Sequence, residues 1–170
     1  MKLRIALAAA TAAAASAATA APVTGNTTAE VTILSPNTVV AMRDLQFGAI
    51  SKPLSGSSTV TIASTPAASQ TPVVTGGGTV PVAGQGRAAI FRLTGTNGQT
   101  YSVGSTSLSF TGQAGNLTNV GAESPTSQNT LGTLPASGID DLAVGGHFDI
   151  SNTTAMQAYS GTLSLTINFN

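Results

Sequence analysis

The sequence predicts an all-β, antiparallel sandwich, and three observations carry that expectation. After the first twenty or so residues helix signals are nearly absent, while short alternating runs rich in β-branched residues recur between Gly, Pro, Ser and Asn clusters. The last ten residues, Gly161 to Asn170, place Leu163, Leu165, Ile167 and Phe169 on one side of a strand and small polar residues on the other. Clean alternators also lie inside the chain: Val60 and Ile62 oppose Thr59 and Thr61, as expected of a sheet with one face buried and the other mostly wet.

Taken in order, residues 1–20 read as a signal peptide. Lys2 and Arg4 give a positive start, an Ala/Leu run follows, and Ala18-Thr19-Ala20 offers small residues for cleavage. The run is short and alanine-rich for a membrane span, so a signal-anchor is the lesser alternative, and nothing downstream approaches the roughly 18 apolar residues that spanning requires. Residues 21–34 form an extended segment, and residues 35–170 a domain large enough to bury most of its apolar surface without disulfides. The chain has no cysteine, which excludes disulfides, thiolate metal sites and thiol nucleophiles.

Candidate strands follow at 29–34, 39–42, 45–50, 58–63, 79–83, 88–94, 100–103, 107–111, 130–134, 146–150 and 161–169. Thr96-Asn97-Gly98 is the short-hairpin signal between the Phe91 and Tyr101 strands, because Asn and Gly accept positive φ at low cost. The glycine runs at 76–78 and 112–116 read as loops, and the weakly periodic stretch from Asn116 to Gln128 as an excursion over the surface. No fixed-period repeat appears, which argues against a solenoid or propeller.

Beyond residue 20, four cations (Arg43, Lys52, Arg87, Arg92) face six carboxylates (Glu30, Asp44, Glu123, Asp140, Asp141, Asp149), a net charge of 4 − 6 = −2. Such a sparse, slightly acidic surface carries no electrostatic footprint for nucleic acid or anionic lipid and sets little repulsion between copies. His147 is the sole histidine, and Asp149 is the only carboxylate close to it in sequence. A catalytic site needs several convergent groups, so His147 is expected to be structural or exposed. Asp140 and Asp141 form the one acidic pair and lack calcium-loop spacing, so a solvated loop is expected. The glycines near Arg87 lack the lysine and helix of a phosphate loop, and no serine sits in a nucleophile elbow. The expectation is therefore a non-enzymatic protein with no cofactor and no metal.

Four segments, Asp44-Leu45-Gln46-Phe47-Gly48, Ala89-Ile90-Phe91-Arg92-Leu93-Thr94-Gly95 with Tyr101-Ser102-Val103, Val144-Gly145-Gly146, and Tyr159-Ser160-Gly161, together resemble a family of secreted bacterial β-domains of unknown function, found mainly in proteobacteria, whose members look pilin-like. The resemblance spans Glu30 to Phe169. It implies an immunoglobulin-like, pilin-like sandwich similar to subunits of the chaperone-usher route and to spore-coat-U-like subunits, in which a neighbour's extended segment fills a missing strand position. Phe169 resembles the penultimate aromatic of such subunits, and Gln157 stands where a glycine is expected.

That resemblance makes Ala29, Val31 and Ile33 a donor stripe and Leu163, Leu165, Ile167 and Phe169 part of the acceptor. An in-domain first strand needs the same pattern, so the sequence leaves residues 28–34 open between donation and pairing at home. The expected protein is an exported structural subunit of a surface fibre or coat, located in the periplasm, at the cell surface or outside the cell. Its expected partners are itself or related subunits by strand addition, and a periplasmic chaperone. A monomeric surface module recognising carbohydrate or protein is the competing class, with few aromatics to spare for a sugar platform.

Overall fold

The computed structural model describes residues 30–77, 81–82, 85–111 and 117–170. The expected signal peptide, Ala29, residues 78–80, Ala83, Gly84 and the glycine-rich run 112–116 lie outside the described residues. Two units divide the chain, Met1–Thr32 and Ile33–Asn170; of the first, only residues 30–32 are described.

The second unit is all-β. Its strands are β1 (Thr38–Arg43), β2 (Ala49–Ile50), β3 (Ser57–Ile62), β4 (Val73–Gly76), β5 (Pro81–Val82), β6 (Ala89–Thr94), β7 (Tyr101–Phe110), β8 (Thr118–Ala122), β9 (Thr126–Ser127), β10 (Ile139–Val144), β11 (Gly146–Ser151) and β12 (Gly161–Phe169). They form two four-stranded antiparallel sheets, ordered β1-β6-β10-β9 and β4-β3-β11-β8, and two two-stranded ribbons, β12-β7 and β2-β5. The antiparallel sandwich is as the alternation implies.

A single residue, Gly145, carries the chain from the first large sheet to the second, between β10 and β11. A Cβ there would run into the carbonyl oxygen of Ile62, so only glycine allows β11 to lie against β3 at this corner. The main chain of Gly145 donates to Ser64 Oγ at 2.9 Å, which fixes the bend.

Three apolar clusters fill the interior. Ile62, Ala88, Ile90 and Ala143 pack beneath Leu45 and Phe47. Leu93, Tyr101, Leu134 and Leu142 are covered by Phe91, Val103, Leu165, Ile167 and Phe169. Val60, Phe148 and Ile150 meet Phe47, Phe110, Leu117 and Val120. The terminal stripe thus covers the middle of its own domain through three of its four members.

Several expectations are corrected. The Asn97-Gly98 turn exists, with Gly98 at φ 71° and Gln99 N donating to Thr96 O, but it does not close a hairpin: β6 pairs with β1 and β10, and β7 with β12. The two segments 100–103 and 107–111 form one strand, because β7 runs through Gly104 as a bulge. Residues 45–50 yield only β2 and an isolated bridge from Gln46 to Arg87, since Gly48 at φ 76° interrupts the run. The stretch 116–128 contributes β8 and β9, and 130–134 is a turn that drives Leu134 into the core. Strands β4 and β10 are additions, and β10 contains the aspartate pair expected in a loop.

Candidate interface cleft

Strand β1 is hydrogen-bonded to β6 along one edge, and no described strand pairs with the other. It is exposed throughout, Val40 and Met42 to about half, and only Arg43 is partly covered. Strand β12 likewise pairs on one side with β7 alone. A cleft of about 1210 Å3 is lined by Ala41 and Arg43 of β1 and by Gly161 and Leu163 of β12. One wall is Ala41 to Lys52 and the other Ala155 to Leu163.

The floor is apolar: Phe47, Phe91, Leu108, Phe110, Phe148 and Ile150. Three of its rings interlock, with Phe47 to Phe148 at 4.8 Å and Phe110 to Phe148 at 5.8 Å, both edge-on, and Phe47 to Phe110 at 6.2 Å. Edge-to-face pairs of this kind contribute about 0.5–1.5 kcal/mol each beyond the area they bury. Charge is confined to Arg43, Asp44 and Lys52 on the β1 side. Both cations are anchored: Arg43 Nε donates to Ala88 O at 3.0 Å, and Lys52 Nζ to Asn152 O at 3.1 Å. Opposite, the Tyr159 hydroxyl donates to Ala155 O at 2.9 Å and closes the turn that leads into β12.

Of the terminal stripe, Leu163 lines this cleft, while Leu165, Ile167 and Phe169 pack against the Leu93 and Tyr101 cluster. At the other end, residues 30–37 form no strand, and Val31 and Ile33 are 85% and 89% exposed. Ala29, the third residue of that stripe, lies outside the described residues. The walls at 44–52 and 155–163 escape sequence reading because a cleft is the space between elements rather than a pattern within one. The segment Asp44 to Gly48 was nonetheless among those carrying the resemblance.

Four carboxylates are engaged by neighbouring side chains. Asp140, 1% exposed, accepts hydrogen bonds from the Tyr101 hydroxyl at 2.7 Å, Ser127 Oγ at 2.6 Å and Asn129 Nδ2 at 2.8 Å. Burial, reinforced by Asp140, pushes the Tyr101 phenol up to about 12, so it stays a donor. Asp141 takes both donors of a bidentate Arg92 at 2.8 Å, and these bonds hold its carboxyl below the usual range. The expectation of a solvated aspartate loop is thereby corrected. Asp140 serves as a buried acceptor and Asp141 as a cross-strand partner. His147 Nδ1 meets Glu123 Oε1 at 2.7 Å across the β11-β8 pair, whereas Asp149 bonds Thr59 Oγ1 at 2.6 Å. No described group of three or more His, Asp or Glu side chains is placed to hold a metal, and no described helix is long and apolar enough to cross a membrane.

An antiparallel sandwich with a phenylalanine-floored cleft is the class that fold and site define. The chain belongs to the family described as Domain of unknown function (DUF4402), whose model matches residues 38–169. No curated protein and no solved structure matches.

Proposed function

We propose that this chain is an exported, pilin-like structural subunit of a surface fibre or coat, in which the cleft of one copy receives the extended segment of another. The observation that carries this reading is the cleft itself, a phenylalanine-floored trough lined in part by β1 and β12, strands that each pair on one side only among the described strands.

Residues 29–33 have the matching form. Five extended residues reach about 17 Å, and Ala29, Val31 and Ile33 share one side. Burying Val31 and Ile33 contributes about 1.5–3 kcal/mol each before ordering costs, and main-chain bonds to an open edge set the register. The exposure of Val31 and Ile33 and the absence of a strand over 30–37 leave those residues available for this role. The segment before residue 21 fits an export signal, and a chaperone covering the cleft before assembly fits the same geometry.

The test is deletion of residues 21–34 from the secreted protein, followed by native gels and electron microscopy of sheared surface material. The truncated chain should remain folded by circular dichroism, lose its high-mass species, and recover none when mixed with itself. It should still bind a synthetic peptide of residues 27–34. Persistence of polymers, or failure of the peptide to bind, overturns the proposal.

A further inference from the structure

We propose that the β7-β12 ribbon is a hinged jaw that bends at Gly104 to set the width of the cleft; this rests on the strand-donation reading of that cleft. The ribbon pairs with neither large sheet through a strand ladder. One bulge divides it. Val103 pairs with Ile167 and Ser105 with Thr166, leaving Gly104 as the extra residue.

The two halves are held differently. On the Tyr101 side, Tyr101 N donates to Gly132 O at 2.9 Å and the Tyr101 hydroxyl to buried Asp140 at 2.7 Å. Val103, Ile167 and Phe169 are pressed on Leu93, Leu134 and Leu142, joined from just beyond the bulge by Leu165. On the Gly161 side, Leu108, Phe110 and Leu163 face the cleft. That half rests on the second sheet by apolar contact, with Leu108 over Gly146 and the Phe110 ring against Phe148.

Hydrogen bonds are directional and hold the Tyr101 half in place, whereas ring and leucine contacts can slide. A bulge is also where a strand bends at low cost, and glycine removes the Cβ that would resist it. The arm from Ser105 to Phe110 is about 20 Å long, so a bend of about 15° moves its tip by roughly 5 Å, one strand spacing. Such a movement separates a cleft that admits a strand from one that does not.

The absence of native cysteine allows paired spin labels in the full chain. One label goes at Ala136, and the second at Ser102 in one sample and Thr162 in the other, all exposed positions. In the free protein the Thr162 pair should give a distance distribution about twofold wider than the Ser102 pair, and the peptide of residues 27–34 should narrow the first without altering the second. Gly104→Val should narrow the Thr162 distribution without peptide; if that variant does not fold, the two wild-type distributions decide alone. Equal widths in the free protein overturn the hinge. Peptide binding that leaves the Thr162 distribution unchanged also overturns it, while leaving strand donation intact. Failure of the peptide to bind overturns strand donation, and the free-state widths still judge the hinge.

Discussion

Tyr101 and Asp140 show how single side chains pin this fold. A buried carboxylate is costly unless its lone pairs are met, and Asp140 meets three donors drawn from β7, β9 and the turn at Asn129. Replacing Tyr101 with Phe keeps the ring packing and removes one donor, so the expected loss is about 1–3 kcal/mol at neutral pH, read by thermal melting. Because the folded phenol is raised from 10.0 to about 12, its contribution is fully present below pH 10 and disappears as pH rises through 12. Wild type should therefore approach the Tyr101→Phe variant in stability over that interval, and a constant difference across it would contradict the hydrogen-bonding role. The pair Asp140-Asp141 also marks where sequence reading stopped. Two adjacent aspartates look solvated until donors from distant segments are placed around one of them and Arg92 beside the other.

At the scale of elements, strands with an uninterrupted period were legible in the sequence: β1, β3, β6, β11 and β12 fall within a residue or two of where alternation puts them. Those whose pattern is broken by function or geometry were not. β10 hides behind its aspartates, β8 behind polar residues and Asn119 at φ 47°, and β7 behind Gly104, which resembles a terminator and acts as a bulge. The turn at Asn97-Gly98 was readable because its chemistry is local, whereas the choice of partner for the strands it joins is a long-range matter. For the same reason the cleft was half legible: the apolar stripe of β12 could be seen, but not that only Leu163 of its four members would reach the cleft. The corner at Gly145 is the element-level feature most exposed to mutation. Gly145→Ala should cost about 3 kcal/mol, because the methyl meets main chain of β3 that has no flexible end to move aside. Urea denaturation should show a lower midpoint, and an unchanged midpoint would mean that β10 and β11 can part.

Considered as a whole, the molecule is sparsely charged, with an apolar floor in its cleft and its few cleft cations held by main-chain carbonyls. Association through such a site has little Coulomb energy to screen. Under the strand-donation proposal, raising sodium chloride from about 0.05 to 0.5 M should leave the polymer fraction unchanged or slightly higher, measured by sedimentation. A steep fall with salt would point to charged contacts elsewhere on the surface. β2 and β5 add only a small ribbon beside the cleft, and the two large sheets supply the rigid frame that holds it.

The ladder order carries a kinetic consequence. β1 must find β6, β3 must find β11 some ninety positions later, and β12 must return to β7, so few contacts reward the chain early. Chains dominated by such distant pairings mature in milliseconds to seconds instead of microseconds. Throughout that interval a newly made polypeptide shows sticky half-built margins to its neighbours, and dilution alone should raise the yield of correctly refolded monomer.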